Sequence, residues 1–540
     1  MKVQHPTTSM SQRNTAHMNK AMAPSGPPQL SLPPLPGKAM RVRRQRLRSA
    51  PVICLVPVPI WLMAAALESE MVASLAAVCG LVLAAVWARG MLRHTPQLLG
   101  FLRLGSASLL AIMSLGWLVA QFFNFTALDQ SMTVALVRDV GTSLAAYSMA
   151  VAYALVFAAV LGLLGGLKPF RTLEARALTG ILAARSIRSN RLHALIMLIC
   201  ILEIALILTG VISYRTYAIE GFDEGRIAWY LPLLEFMFAA QIALNALAIS
   251  QLTGPLSSRR ASIAVIAVSV LLILFINFTR GRASFVFCAL LHLYWVILFI
   301  GRIPNKKTLI LVALAALPII YTGSLLNNFM RSGAVQGLDV KVIGSSAFFR
   351  EALQLWRDDE SLQAAEKSRS AYNLASRPLV ASPLAKCIAL PAEQKNFLLG
   401  ENLFNSAVWA LPRAIFPDKT RYPIQEDLLY SSFPVGTEDT ADSPYLYAYA
   451  DFGYVGIIIY PALLAGFWMA ILLLARLPYI SSLGIIVIMA VWIPFFTLNL
   501  GEAAMVGWFV GLRNTVLALP FIFFIGKLFR SPGAPANQSK

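Results

Sequence analysis

Charged residues are scarce in this chain of 540 residues: Asp, Glu, Lys and Arg make up 13% of it, against 58% apolar residues. Soluble globular domains carry about 25% charged residues. The mean hydropathy of +0.67 agrees with that shortage. The composition therefore excludes a chain of ordinary soluble domains and predicts a membrane protein.

Cysteine and histidine are also rare, with five of each. Cys54, Cys79, Cys200 and Cys288 lie in apolar runs, and Cys387 alone lies in a polar region. This excludes a disulfide framework. The histidines are scattered and no CxxC pair is present, so a zinc site built from protein ligands is not expected. We expect neither a metal nor a cofactor.

Long apolar runs, by contrast, are abundant. A spanning helix needs about 17 to 25 mostly apolar residues to cross the hydrocarbon. Twelve runs meet this requirement: 50–67, 71–88, 104–124, 142–166, 192–214, 229–249, 261–278, 283–300, 308–325, 452–475, 483–499 and 508–527. The sequence predicts an all-α polytopic membrane protein with about 12 spans, the last two of which could instead be re-entrant around Gly501.

The formal net charge of +19 is unevenly distributed between the loops. With the N-terminus in the cytoplasm, the cytoplasmic segments hold 27 basic residues and one acid, while the rest of the chain holds 18 basic and 25 acidic residues. This asymmetry is a strong positive-inside signal and places both termini inside. The excess charge therefore indicates orientation rather than nucleic-acid binding.

The resulting organisation has one large soluble element. A disordered basic cytoplasmic tail (1–49) precedes spans 1–9 (50–325), a large periplasmic loop (326–451), spans 10–12 (452–527) and a short cytoplasmic tail (528–540). The loop contains 12 basic and 15 acidic residues as well as aromatic side chains, and we expect it to fold and to be mainly helical.

Three segments of the loop have helical signals. Residues 347–368 place Phe348, Leu355 and Leu362 at heptad spacing, which predicts an amphipathic helix. Residues 401–419 predict a second helix that contains or ends near Pro412. The Ser-Pro pair at 443–444 predicts the start of a third helix, leading into the tenth span.

Several basic residues lie where a membrane protein can use them. Arg280 and Arg282 at a tight external turn can either snorkel to the interface or grip a phosphate through their guanidinium groups. Arg413, Lys419 and Arg421 either form a solvated charge run or, next to the apolar LPRAIFP, a functional cluster. Near the start of the twelfth span, another arginine, Arg513, adds to the basic candidates.

Aromatic and acidic candidates lie nearby. Tyr445 and Tyr447, with other tyrosines at 430, 449 and 454, can either stack on sugar rings or form an interfacial aromatic belt. The candidates for a proton acceptor are Glu426, Glu438, Asp439, Asp442 and Asp451. Within the fifth and sixth spans, Glu203 and Glu235 are expected to form hydrogen bonds or ion pairs inside the bundle.

Together these features resemble the oligosaccharide repeat-unit polymerase (O-antigen polymerase) family of bacterial inner membranes. The resemblance is carried by TRGRASF (279–285), the single large late loop, NSAVWALPRAIFPDK (405–419) and DSPYLYAYADFGYVG (442–456), and it covers roughly residues 200 to 510. Some family members carry Arg-x10-Gly repeats in external loops. No external arginine here has a glycine eleven residues later, so a scheme with two capture loops does not transfer.

The resemblance implies a periplasmic-face glycosyltransferase that transfers glycan from a polyprenyl-pyrophosphate donor to a lipid-linked repeat unit. Arg280, Arg282 and Arg413, with Lys419, match the basic positions expected to contact pyrophosphate. A carboxylate near 438–442, Asp439 or Asp442, would be the natural general base. Candidate protein partners are a chain-length regulator and a flippase of the same pathway; nucleic acid is not expected.

Other functions remain open. An O-antigen ligase shares the layout and donor chemistry but typically depends on a loop histidine, and residues 326–451 contain none. A transporter or flippase of lipid-linked glycan suits twelve spans with buried glutamates, although no internal repeat is visible. A non-catalytic scaffold for envelope assembly is a fourth interpretation.

Overall fold

The structure is a computed structural model. It describes residues 57–93, 98–122, 140–183, 189–208, 231–251, 265–273, 346–367, 381–412, 415–433, 443–477, 482–498 and 505–528, with single residues 263, 292, 295, 296, 314, 318, 325, 329 and 480. The predicted tail 1–49 and most of the predicted spans 283–300 and 308–325 lie outside this set.

The described residues are all-helical, with no strand among them. The first seven helices are α1 Pro57–Ala66, α2 Glu70–Arg93, α3 Leu98–Phe122, α4 Val140–Gly166, α5 Lys168–Ala183, α6 Ser189–Leu208 and α7 Leu231–Gln251. The later helices are α8 Ser346–Asp358, α9 Ser382–Ala389, α10 Glu401–Ala410, α11 Gln425–Ser432, α12 Pro444–Phe452, α13 Gly456–Ala475, α14 Ser482–Leu498 and α15 Met505–Leu528.

Three described segments are long and apolar enough to cross a membrane: Glu70–Ala88, Thr142–Gly166 and Pro444–Ala475. They coincide with the predicted spans 71–88, 142–166 and 452–475. Shorter apolar helices lie at Gly105–Leu118, His193–Leu206, Ala240–Ser250 and Gly484–Ile493. The prediction of a helical, membrane-type chain is thus confirmed in its general form.

Helix α4 lies at the centre of the described bundle. It is apolar on all sides and rich in alanine, and such a helix needs apolar surroundings over its whole surface. It packs against α1 and α3 from the first half of the chain and against α9, α12 and α13 from the second. Tyr153 and Phe157 on α4 are fully buried, and their rings meet Tyr445 at 6.1 Å and Phe496 at 6.1 Å. The two halves of the chain are therefore joined through α4.

An aromatic cluster fixes the position of the last helix. Trp468 on α13 lies 5.5 Å from Phe496 on α14, and Trp508 on α15 lies 4.7 Å from the same ring, between ring centroids. All three side chains are fully buried. Because edge-to-face aromatic pairs have preferred geometries, the cluster sets how α15 packs against α13 and α14.

The basic segment 168–191 contains a helix that the composition alone did not predict. In α5, Phe170, Ala177 and Ile181 are buried, whereas Lys168 and Arg176 are exposed. The helix packs across α4, α13 and α14 through its buried face. It is amphipathic, and its charged face points away from the bundle.

The predicted loop helix 347–368 is helical but interrupted. Helix α8 ends at Asp358, and residues 360–367 form a second helical segment. The Asp359 carboxylate accepts hydrogen bonds from the Leu362 amide at 2.9 Å and the Ser361 hydroxyl at 2.7 Å, and these bonds lower the pKa of Asp359. Asp359 is thus the N-cap of the second segment, which explains the break.

The other two predicted loop helices are present. Helix α10 stops at Ala410, and Leu411 is extended (φ −67°, ψ 141°), as expected for a residue before proline. The helix therefore ends before Pro412 and does not continue to 419. Helix α12 begins after Ser443, whose side chain accepts a hydrogen bond from the Leu446 amide at 3.3 Å.

Candidate functional site

Two basic side chains from distant parts of the chain meet at the C-terminal end of α10. Lys419, in a short 3-10 turn after the helix, donates through Nζ to the carbonyl oxygens of Trp409 at 3.2 Å and Leu411 at 3.5 Å. Arg513, on α15, donates through Nη1 to the Ala410 carbonyl at 3.0 Å. The last carbonyls of a helix have no partner inside it and carry a partial negative charge. Both cations therefore cap α10.

The surroundings hold these two cations in place. The Lys419 ammonium lies 5.3 Å from the centre of the Trp409 ring, within the range of a cation–π interaction. The Trp409 indole in turn donates to the Tyr422 carbonyl at 3.0 Å. The guanidinium of Arg513 also donates from Nε and Nη2 to the side-chain oxygen of Asn514, at 3.0 and 2.8 Å. Each cation therefore has several partners within the protein.

Arg421 lies beside this end of the helix but in a more open environment. Its side chain is 79% exposed and lies 3.5 Å from the Asp418 carboxylate, which is 63% exposed. An exposed ion pair of this kind contributes little to stability. The guanidinium is accessible to a ligand.

Tyr445 and Tyr447 lie on α12 and are both fully buried. The Tyr445 ring meets Tyr153 of α4 edge-on. In this conformation the two rings pack inside the protein, so stacking on a sugar would need α12 to move.

Several other predicted site residues lie outside the described part of the chain. These are Arg280, Arg282, Arg413, Asp439 and Asp442, and their roles stay predictions. Arg413 follows Ala410 by three positions in the sequence.

A buried polar network joins α10 to the helices of the bundle. Asp451, at the end of α12, is fully buried and its carboxylate accepts a hydrogen bond from the Tyr460 hydroxyl at 2.6 Å. The backbone amide of Asn402 donates to the other carboxylate oxygen at 3.3 Å. The Asn402 side chain donates to Tyr460 at 2.9 Å. The Asp451 carboxylate therefore links the first turn of α10 to α13 through hydrogen bonds.

Gln425 extends the network to the last helix. Its side-chain amide donates to Asn402 Oδ1 at 2.6 Å and to Ser406 Oγ at 2.8 Å. The side-chain oxygen of Gln425, Oε1, accepts a hydrogen bond from the backbone amide of Val506, at the start of α15, at 3.2 Å. An unmatched buried polar group costs about 1–3 kcal/mol, so these bonds favour one arrangement of α10, α11, α13 and α15.

Asp451 was among the sequence candidates for a proton acceptor, but Asn402, Ser406, Gln425 and Tyr460 were not predicted. One signal could have found part of the set. Asn402 and Ser406 are four residues apart in α10 and so share a face. Two small polar residues on one face of a helix can indicate a polar partner.

A second buried polar cluster lies in α6 and α7. Gln241 donates to the Glu203 carboxylate, and both side chains are fully buried. One helical turn further along α7, Asn245 lies 3.1 Å from His292 Nε2 and accepts from the Ser269 hydroxyl at 2.7 Å. The prediction that Glu203 is hydrogen-bonded inside the bundle is confirmed. Glu235 is on α7 as well.

Neither cluster has the composition of a metal site. Within the described ranges, no three or more His, Cys, Asp or Glu side chains converge on one point. The two clusters consist instead of side-chain amides, hydroxyl groups and single carboxyl groups.

Comparison of the chain with models of protein families, with curated proteins and with solved structures gave no match.

Proposed function

We propose that this protein is a membrane glycosyltransferase that polymerises lipid-linked oligosaccharide repeat units in a bacterial inner membrane. In this proposal it has about twelve spans, both termini in the cytoplasm, and the loop 326–451 on the periplasmic face. The donor is a glycan on polyprenyl pyrophosphate, and the acceptor is another lipid-linked repeat unit. A chain-length regulator and a flippase of the same pathway are its candidate partners.

One observation carries the proposal most directly: Lys419 and Arg513 converge on consecutive carbonyls at the end of α10. They are 94 positions apart in the sequence, and Arg413 and the exposed Arg421 lie six and two positions from Lys419 in the chain. A set of cations fixed by the fold suits a pyrophosphate, which carries several negative charges within a small volume.

The chemistry assigned to these cations is electrostatic. The acceptor hydroxyl oxygen bonds to the anomeric carbon of the donor, and the bond between that carbon and the pyrophosphate oxygen breaks. Negative charge then develops on the departing polyprenyl pyrophosphate. Arg413 and Lys419, with Arg280 and Arg282 in the same proposal, would stabilise that charge in the transition state.

The proton of the acceptor hydroxyl needs a base. We assign it to Asp439 or Asp442, which precede the first residue of α12 by five and two positions and belong to the same predicted loop as α10. A carboxylate in that position takes the proton as the new glycosidic bond forms. Asp451 is instead engaged with Tyr460 and Asn402, and we assign it to positioning the loop.

A second function has one observation in its favour. The buried cluster of Glu203, Gln241, Asn245, Ser269 and His292 lies in an apolar part of the bundle. Polar groups at membrane depth often belong to ion or proton pathways. A transporter or flippase of lipid-linked glycan is therefore the alternative, and it would use α6 and α7 rather than α10.

Substitution of the external arginines distinguishes the two functions. Arg280→Ala and Arg413→Ala should each abolish long-chain polymer without reducing the amount of protein in the membrane, because each removes charge from the pyrophosphate site. Arg→Lys at the same positions should restore polymer only in part, since an ammonium lacks the two-pronged geometry of a guanidinium. The measurement is the polymer ladder on a gel.

Arg357→Ala is the matched control, because Arg357 is an exposed arginine on α8 of the same loop. It should leave the ladder unchanged. A normal ladder from both Arg280→Ala and Arg413→Ala would refute the pyrophosphate assignment.

A further inference from the structure

Helix α5 is short and charged, yet it is attached directly to a helix that can cross a membrane. It begins at Lys168, two positions after Gly166, where the membrane-type segment Thr142–Gly166 ends. The connection is tight, because the Arg171 amide donates to the carbonyl oxygen of Leu167 at 3.1 Å. The first turn of α5 therefore lies where the chain leaves the hydrocarbon.

The last turn of α5 lies beside the start of another apolar helix. Gly180 is so close to the Ile485 side chain that a Cβ at Gly180 would clash with it. Ile485 is the second residue of the apolar stretch Gly484–Ile493 in α14. Both ends of α5 are thus next to the ends of apolar helices. A helix held in this way runs along the surface of the membrane and does not cross it.

The inward face of α5 fixes the helix to the bundle. Its buried apolar residues follow one another at intervals of three and four positions: Phe170, Leu173, Ala177 and Ile181. Through this face α5 packs against α4, α13 and α14. The only acidic residue of the helix, Glu174, is buried as well. The outward face therefore carries no negative charge of its own.

The outward face is exposed and basic. A shallow hollow of about 400 Å³ on it is lined by Lys168, Arg171, Thr172, Ala175, Arg176 and Thr179. The hydroxyls of Thr172 and Thr179 donate to carbonyl oxygens of their own helix, at 3.0 and 2.8 Å. The ammonium group and the two guanidinium groups are the charged groups of the hollow, and all three suit a phosphate.

An exposed apolar surface leads up to this hollow. Leu163, in the last turn of α4, is 75% exposed, and Leu167, directly before α5, is 52% exposed. Leu163 belongs to the segment that can cross a membrane, so it is expected to contact acyl chains. Within a few residues the exposed surface thus changes from apolar to basic. Acyl chains and a charged head group follow each other in the same order in an anionic phospholipid.

This order identifies the kind of anion that fits. A free phosphate would use the cations alone, and an acidic protein segment would have no use for an apolar surface that continues into a span. A phospholipid joins both parts in one molecule. Each Lys or Arg close to an anionic lipid surface strengthens binding roughly fivefold, so three of them make a selective site for lipid charge.

We propose that α5 is an interfacial helix whose cations Lys168, Arg171 and Arg176 bind the phosphate of an anionic phospholipid of the bilayer, with the acyl chains of that lipid against Leu163 and Leu167. The helix lies on the side of the membrane where the charge distribution of the loops predicts the cytoplasm. The lipid site is therefore separate from the predicted periplasmic loop, and it does not depend on the reaction assigned to the protein.

Lipid titration of the purified full-length protein, followed by native mass spectrometry, tests this site. The protein in detergent is titrated with dioleoyl phosphatidylglycerol and, in parallel, with dioleoyl phosphatidylcholine, which has the same acyl chains but no net charge. The test variant combines Lys168→Gln, Arg171→Gln and Arg176→Gln. It should bind phosphatidylglycerol about tenfold or more weakly than the unchanged protein, while its binding of phosphatidylcholine stays the same.

The matched control removes the same amount of charge from exposed positions in another part of the chain: Arg350→Gln, Arg357→Gln and Lys367→Gln. It should bind phosphatidylglycerol like the unchanged protein. Equal affinities of the α5 variant and this control would overturn the proposal. Displacement of the lipid by ammonium phosphate, but not by ammonium acetate of the same ionic strength, would also overturn it, because the hollow would then be a site for free phosphate.

Size-exclusion chromatography and the thermal midpoint show whether the α5 variant is folded. Should it not be monodisperse, Arg176→Glu alone is titrated in the same way, and an unchanged affinity for phosphatidylglycerol would equally contradict the lipid site. Combined Arg171→Lys and Arg176→Lys keep the charge of the helix. This pair should retain most of the affinity that the glutamine variant loses.

Discussion

Lys419 and Arg513 are the predicted site residues whose surroundings the structure describes in most detail. Each neutralises the partial negative charge at the end of α10, and each is placed there by a different part of the chain. A cation that caps a helix keeps part of its charge available to a ligand on its other side. The same residues can therefore hold the helix end and attract a pyrophosphate.

Substitutions at Arg513 separate these two roles. Arg513→Met leaves the Ala410 carbonyl without its donor, and loss of a hydrogen bond to a charged group costs about 1.5–3 kcal/mol. We expect a lower thermal midpoint in detergent and loss of polymer. Arg513→Lys should restore the midpoint, but polymer only in part, if the guanidinium also grips phosphate.

Full recovery of polymer by Arg513→Lys would show that Arg513 acts only as a cap. Arg476→Met serves as the control, because Arg476 is exposed at the far end of α13. Its thermal midpoint should equal that of the unchanged protein.

Cys387 gives a prediction about reactivity. Its thiol is fully buried on α9, and burial raises its pKa to about 12. Only the thiolate reacts quickly with maleimide, and at pH 8 roughly one thiol in ten thousand would be ionised at such a pKa. We expect Cys387 to remain unlabelled in the native protein between pH 7 and 9 and to react after denaturation, as measured by mass spectrometry of its peptide. Rapid labelling at pH 7 would contradict the packing of α9 against α4.

At the residue scale, the sequence identified the cations but not their partners. Lys419 and Arg513 stand out because charges are rare in this chain, whereas the carbonyls they bind are backbone groups that every residue has. The partners of Asp451 could not be identified from the sequence either, because they meet only in the folded chain. Asn402 and Gln425 are ordinary loop residues until α11 and α15 bring them next to Tyr460 and Val506.

At the scale of elements, helix ends were predictable where a local rule decides them. Pro412 ends α10, and Ser443 with Pro444 starts α12, and both effects act within a few residues. The break at Asp359 was missed because the heptad pattern of 347–368 continues through it. In the case of α5, a high content of basic residues concealed an amphipathic pattern.

The junction between α12 and α13 is a further element-scale feature. The chain turns there through Gly453, which has a φ of +59°, and Gly456 lies so close to the Ala448 carbonyl that a Cβ would clash with it. Because the obstacle is backbone, it cannot be relieved by a rotamer change.

Gly456→Ala should therefore disturb the junction and lower the yield of monodisperse protein on size-exclusion chromatography. Gly466→Ala, on the same helix, is its control, since a Cβ there meets nothing within 4 Å. That variant should behave like the unchanged protein. Equal yields from the two variants would show that the close approach at Gly456 is absent in the membrane.

At the scale of the whole molecule, composition and hydropathy were sufficient to predict a helical membrane-type protein. The order in which helices pack was not predictable, because apolar helices carry little information about their neighbours. The structure shows α4 packed against both halves of the chain and α10 packed against α15. Helix α10 is also joined to α13 by the hydrogen bond from Asn402 to Tyr460. A loop element thereby becomes part of the bundle.

The central claim is that this protein extends lipid-linked glycan. Deletion of its gene, followed by size analysis of the surface glycan, tests that claim most directly. We predict that long polymer disappears while a single repeat unit remains attached to its acceptor, and that re-expression restores the ladder. A bare acceptor without any repeat unit would indicate a ligase or flippase, and an unchanged glycan profile would contradict the account altogether.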